Sequence, residues 1–70
     1  MNGVFFLDEN NAIFRQHGGY THYYVQDNIV LGPNGNTGYS ISDELIINPQ
    51  TQDRGYITED KFIMGLKSAP

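Results

Sequence analysis

The chain has 70 residues, no cysteine and a net charge of −4 from eight acidic and four basic residues. One domain of this length buries only about 60% of the surface that its unfolded chain exposes, and without cysteine neither disulfide bonds nor a thiolate zinc site can reinforce its core. The basic residues are scattered, which argues against a nucleic-acid partner, and no apolar run approaches the roughly 20 residues of a membrane helix.

The N-terminal segment, MNGVFFLDENN, lacks the basic region and the long apolar run of a signal peptide. We therefore expect a soluble, cytoplasmic protein with no membrane partner. We assign residues 1–70 to a single domain.

Four similar units follow one another along the chain, at about 5–16, 23–33, 38–49 and 55–66. Each unit has two short apolar runs around a polar bend, with the bend sequences DENN, QDN, SDE and TED. Runs rich in Val, Ile, Tyr and Phe that are broken by Asp, Asn and Ser are typical of strand–turn–strand elements. The connections HGG, GPNGN and NPQTQDRG contain Gly and Pro, which end strands.

The units repeat at a nearly fixed spacing, which predicts a repeat architecture. The second and third units match at sixteen residues, as in Tyr23 with Tyr39 and Pro33 with Pro49. The fourth unit follows at seventeen, as in Tyr39 with Tyr56. We place its extra residue in the connection NPQTQDRG, because loops tolerate insertions.

Alternation along a strand assigns the side chains to two faces. We expect one face to hold the residues that recur in phase, namely Phe5, Leu7, Ile13, Tyr23, Val25, Ile29, Leu31, Tyr39, Ile41, Leu45, Ile47, Tyr56, Phe62 and Met64. The opposite face then holds Tyr24, Val30, Ser40, Ile46, Ile57 and Ile63. Because this second face is also apolar, we expect either that both faces of some strands are covered or that a second copy of the chain covers one.

Two segments, SDELII and TEDKFIMGL, could instead form short helices, the second with Thr58 as its N-cap. Their length is below what an isolated helix needs, and their β-branched residues favour strands. The strand interpretation also keeps the repeat intact.

An open meander of eight strands would leave two unpaired edges, which promote aggregation. Pairing FIMGL with VFFLD would close the sheet and remove these edges. The recurring pattern GY-x-I-x-D-x-x-I-x-G/N-P spans most of the chain and resembles the small bacterial repeat proteins called four-fold β-flowers. The resemblance implies an all-β fold of four consecutive β-hairpin repeats in a pseudo-symmetric flower, with a small closed meander barrel as the alternative. It implies no catalytic residue, since that family carries no assigned activity.

Seven of the eight acidic residues lie in the bends within the units. They could form a rim that attracts a basic partner or holds a hard cation, although Asp is also a favourable turn residue. The candidate binding residues among them are Asp27, Asp43, Glu44, Glu59 and Asp60.

Tyrosines provide a second candidate surface. Tyr20 and Tyr24 are out of phase with the other three and are expected on the surface, where they would suit a peptide, a glycan or a protein. The phased tyrosines are expected in the core. His17 and His22 could share a metal ion, but the sequence fixes no third ligand, so we predict neither a metal nor a cofactor.

The chain has none of the common catalytic signatures: no cysteine, no GxSxG, no HExxH and no phosphate-binding glycine loop. We expect a non-enzymatic β-repeat protein that binds another protein or associates with itself as a homo-oligomer. One alternative is a phage- or prophage-type inhibitor or decoy that uses the acidic hairpin tips. Another is a small hydrolase or glycan-binding protein that uses Tyr and His.

Overall fold

The computed structural model describes residues 3–67, which form eight antiparallel strands. The strands are β1 (Phe5–Leu7), β2 (Ala12–Arg15), β3 (Tyr20–Gln26), β4 (Ile29–Gly32), β5 (Gly35–Ser42), β6 (Leu45–Asn48), β7 (Asp53–Ile57) and β8 (Phe62–Met64). Each strand pairs with the next, and β8 pairs with β1, so the sheet is a closed barrel of four hairpins. The predicted all-β fold is confirmed as a closed meander barrel. The domain assigned to 1–70 also includes positions 1–2 and 68–70, which lie outside the described residues.

Closure uses the segments that the sequence suggested. Phe5 pairs with Ile63, and Phe6 pairs with Phe62. The alternative interpretation, a short helix that starts at Thr58, is wrong. The backbone carbonyl of Thr58 accepts a hydrogen bond from the Lys61 amide at 2.9 Å, which closes a turn, and β8 begins at the next residue. Within residues 3–67 there is no helix long and apolar enough to cross a membrane.

Side chains fill the barrel interior in three layers that are stacked along the barrel axis. Cross-strand partners on adjacent strands share a face. The inward-facing pairs are Leu7 with Ile13, Val25 with Val30, Ile41 with Ile46, and Ile57 with Ile63. The second members of these pairs form the middle layer and are fully buried. A third layer, at the far end, contains Phe5, Tyr23 and Tyr39.

The predicted grouping of faces holds for the first hairpin, where Leu7 and Ile13 both face inward, but it is wrong for the second strands of the second and third hairpins and for both strands of the fourth. Gln26 pairs with Ile29 across a loop of two residues, and Ser42 pairs with Leu45 in the same way. When a loop contains an even number of residues, each cross-strand pair joins an odd-numbered residue to an even-numbered one. The inward-facing residues are therefore odd-numbered before these two bends and even-numbered after them. The residues predicted with the core that lie on the outer face are Ile29, Leu31, Leu45, Ile47, Tyr56, Phe62 and Met64. The residues that replace them inside are Val30, Ile46, Ile57 and Ile63.

The extra residue of the fourth unit also lies elsewhere than predicted. Ile41 and Ile57 occupy equivalent inward positions at a spacing of sixteen, whereas the middle-layer residues Ile46 and Ile63 are seventeen apart. The insertion therefore lies in the bend 58–61 and not in the preceding connection. The structural equivalent of Tyr39 is consequently Gly55, not Tyr56, which is 50% exposed on the outer face.

Gly55 leaves the third layer one side chain short, and Leu66 fills the gap. A Cβ on Gly55 would lie 3.1 Å from the Leu66 side chain and would collide with the Met64 carbonyl oxygen. Leu66 is itself buried in the core cluster, although it follows the last strand. The chain thus completes the layer with a residue from outside the repeat.

Candidate functional site

The four hairpin bends, 8–11, 27–28, 43–44 and 58–61, lie at one end of the barrel, which we call the tip end. A ring of backbone hydrogen bonds joins them: the last residue of each bend accepts from an inward-facing residue of the next hairpin. The acceptor–donor pairs are Asn11 with Val25 at 2.8 Å, Asn28 with Ile41 at 2.8 Å, Glu44 with Ile57 at 2.7 Å, and Lys61 with Leu7 at 2.9 Å. The repetition of one bond four times shows the pseudo-four-fold arrangement. It also fixes the four tips relative to one another.

The tips surround an open cavity of about 550 Å³, which we call the axial cup. Its apolar lining is the outermost interior layer, formed by Leu7, Val25, Ile41 and Ile57. Its polar lining is Asn11, Gln26, Asp27, Asn28, Asp43, Glu44, Thr58, Glu59 and Lys61. The volume lies within the range of ligand pockets, roughly 300–1,000 Å³. The cup therefore combines an apolar base with a charged rim.

The rim is strongly acidic. Four carboxylates (Asp27, Asp43, Glu44 and Glu59) and one ammonium (Lys61) line the cup, a sum of −4 and +1 that gives −3. Four of the five predicted acidic candidates are thus brought together. The fifth, Asp60, is exposed in the same bend as Glu59 but does not line the cup.

Turn geometry accounts for part of this acidity. Asp27 and Asn28 have φ of 55° and 64°, and Asp43 has φ of 54°, the left-handed values that tight hairpin loops require and that Asp and Asn tolerate best. No such requirement applies to Glu44 and Glu59, which are absent from the positive-φ positions of residues 3–67. These two glutamates are therefore the better evidence for a binding role.

Asp8 has a different task. Its Oδ1 atom accepts hydrogen bonds from the amides of Asn10 and Ala12, each at 2.9 Å, and so stabilises its own bend. The first tip contributes Asn11 rather than a carboxylate to the cup. The negative charge therefore surrounds the cup on the second, third and fourth tips.

The histidines lie away from the tip end. His22 contacts the Tyr20 ring, with 5.0 Å between centroids, and His17 is exposed in the connection between β2 and β3. Among residues 3–67, no group of three His, Cys, Asp or Glu side chains could hold a metal ion.

The predicted tyrosine candidates lie on the outer face of the barrel and not at the cup. Tyr20 is 41% exposed and belongs to a series of contacting rings, Phe62–Phe6–Phe14–Tyr20, which we call the aromatic row. Tyr24 is 38% exposed and pairs with Ala12 and Leu31. Tyr20 and Tyr24 are therefore surface residues, as the sequence suggested, but they form no common site with the acidic tips.

Sequence reasoning identified the acidic rim but missed the apolar base of the cup. The signal was present, because Val25, Ile41 and Ile57 recur at sixteen residues, two positions before Asp27, Asp43 and Glu59. Only closure of the barrel shows that these apolar residues meet around one axis beneath the acids.

Comparison with known proteins adds no relative: no protein-family model matches the chain, and no significant match was found among curated proteins or solved structures. The relation to four-fold β-flowers accordingly stays a prediction.

Proposed function

We propose that this protein is a non-enzymatic binding module whose axial cup receives a cationic side chain of a partner protein. The observation that supports this proposal is the coexistence, in one cavity of about 550 Å³, of an apolar base and a rim with a charge of −3. Neither feature alone would define a ligand, but together they match a side chain that is apolar along its stem and positive at its end.

Lysine and arginine have this dual character. Their methylene stems bury favourably against apolar surface while the charged group stays near water. In the cup, the stem would lie against Val25, Ile41 and Ile57, and the charged group would reach Glu44 and Glu59 at the rim. The negative potential would also steer a basic partner toward the tip end.

The rigidity of the tips favours binding further. The ring of backbone hydrogen bonds holds each bend in place before a partner arrives, so less conformational entropy is lost on association. An inhibitor that occupies a basic site would use the same surface. Both the binding module and the inhibitor would bind a cationic group in the cup, so the first experiment should measure the binding of a cation.

The experiment is an NMR titration of the ¹⁵N-labelled protein with a short peptide that contains one lysine between alanines. The same peptide with acetyl-lysine is the ligand control, because it keeps the stem and loses the charge. We expect saturable shifts of the Val25, Ile41 and Ile57 amides with the lysine peptide and much weaker shifts with the control. Shifts confined to the aromatic row, or equal shifts with both peptides, would refute the proposal.

A pair of matched variants tests the residues. Glu44→Gln with Glu59→Gln removes two charges from the rim, whereas Glu9→Gln with Asp60→Asn removes two exposed charges of the tip end that do not line the cup. We expect the first variant to weaken peptide binding about tenfold, roughly 1.4 kcal/mol, and the second to change it much less. Equal losses would mean that only the overall charge matters.

A further inference from the structure

The charges of this protein are divided between the two ends of the barrel. The tip end carries seven carboxylates and Lys61, which sum to −7 + 1 = −6. The opposite end, which we call the base end, carries Arg15, Arg54, Lys67 and Asp53, which sum to +3 − 1 = +2. The two sums add to the net charge of −4, so every charged residue belongs to one end or the other.

The base end presents its positive charges outward and keeps its negative charge inside. Arg15, Arg54 and Lys67 are exposed. Asp53 is buried, and its Oδ2 atom accepts a hydrogen bond from the Tyr39 hydroxyl at 2.7 Å. Its Oδ1 atom accepts from the Lys67 amide at 2.9 Å, which holds residue 67 at this end.

We propose that the cup's occupant is the base end of a second copy of this chain, so that copies associate head to tail along the barrel axis. This inference rests on the proposed function and names its partner. The basic side chains of one base end supply the cations that the cup of the next copy would receive. Each copy has one cup and one base end, so the contact joins two different surfaces and is heterologous. A stack of copies therefore has an unoccupied cup at one end and an unpaired base end at the other.

Charge excludes the two symmetric alternatives along this axis. Tip against tip would bring −6 to −6, and base against base would bring +2 to +2, whereas tip against base is attractive. Repulsion between successive tip ends is weak in a stack, since the barrel measures 27 × 24 × 21 Å. Even the shortest of these extents exceeds the Debye length of about 10 Å at 0.1 M salt.

The test uses two variants with complementary defects, studied by sedimentation velocity at about 0.1 M salt. The tip-reversed variant has Glu44→Lys and Glu59→Lys, which avoids the bend positions with positive φ. The base-reversed variant has Arg54→Glu and Lys67→Glu, both at exposed positions. We expect the wild type to form concentration-dependent oligomers and each variant alone to stay monomeric. An equimolar mixture should associate again, because the cup of the base-reversed variant can still receive the base end of the tip-reversed variant.

A third variant controls for overall charge. Glu9→Lys with Asp60→Lys changes the net charge as much as the tip-reversed variant does, but outside the lining of the cup. It should still associate. Association should also weaken as salt rises toward about 1 M, where the Debye length falls to about 3 Å.

Several results would overturn the inference. A wild type that is monomeric at millimolar concentration would do so, as would a mixture that fails to pair. Association that survives in both variants and in high salt would assign the contact to the aromatic row instead. If the wild type stays monomeric while the lysine peptide binds in the cup, the proposed function stands and only the identity of the partner is wrong.

Discussion

Truncation of two adjacent isoleucines, Ile46→Ala and Ile47→Ala, separates the observed register from the one that the repeat spacing suggests. Ile46 is 0% exposed and lies inside the barrel, where it is the cross-strand neighbour of Ile41. Ile47 lies on the outer face, where its cross-strand neighbours are Ser40 and Arg54. The spacing argument assigned them the other way round. The two substitutions remove the same atoms from neighbouring positions of one strand, so secondary-structure propensity cancels in the comparison.

The expected magnitudes differ several-fold. Removal of a fully buried isoleucine side chain costs about 2–5 kcal/mol, because the transfer free energy is lost and a cavity remains. A domain of this size has a free energy of unfolding of roughly 4–10 kcal/mol, so Ile46→Ala should remove a large share of it. Ile47 is only partly buried, and its truncation should cost about 1 kcal/mol.

Urea denaturation followed by circular dichroism measures both losses. The transition midpoint should fall strongly for Ile46→Ala and slightly for Ile47→Ala, with similar m-values. Ile46→Val should fall between the wild type and Ile46→Ala, at about 0.5–1.5 kcal/mol, and it remains measurable if the alanine variant does not fold. A larger loss at Ile47 than at Ile46 would refute the register and the layered interior.

The second prediction concerns Leu66, the residue that completes the third layer: Leu66→Ala should lower the free energy of unfolding, measured by urea denaturation, by about 2–4 kcal/mol. The control, Leu45→Ala at a position that is 47% exposed, should lower it by less than about 1 kcal/mol. Equal losses would show that Leu66 does not fill the gap at Gly55. The third prediction concerns pH: burial, together with the Asp53 carboxylate, raises the pKa of Tyr39 above the usual tyrosine range. Because the folded state then holds this proton more tightly than the unfolded state, the contribution of Tyr39 to stability should be fully present below about pH 10 and should decline as the pH rises further. Tyr39→Phe should make the alkaline decline shallower, and an unchanged slope would contradict the assignment.

The sequence predicted the elements of this fold better than their faces. The Gly-Pro corners and the polar bends located the hairpins, because these residues act through local backbone preferences. The assignment of residues to the inner or outer face depended on the exact length of each bend. A bend that is longer or shorter by one residue moves every side chain of the following strand to the opposite face. The bend 27–28 is as short as a hairpin allows, and that length is visible only from the pairing of Gln26 with Ile29.

The candidate site was predictable in part for a similar reason. Acidic residues at bends are visible in the sequence, and four of the predicted five do line the cup. The apolar base depends on closure of the barrel, which brings Leu7 beside Ile57 although fifty residues separate them. The role of Leu66 was equally inaccessible, because it belongs to no repeat and replaces a side chain that Gly55 lacks.

The most direct test of the cup uses the simplest cation with an alkyl stem, n-butylammonium, added to protein with labelled methyl groups at constant ionic strength. The methyl groups of Leu7, Val25, Ile41 and Ile57 should shift together and saturate with one apparent affinity, while those of the outward-facing Ile29 and Leu31 stay unchanged. Butanol at the same concentrations should produce much smaller shifts. Methyl shifts that never saturate, or that appear equally on the outer face, would contradict cation binding at the tip end.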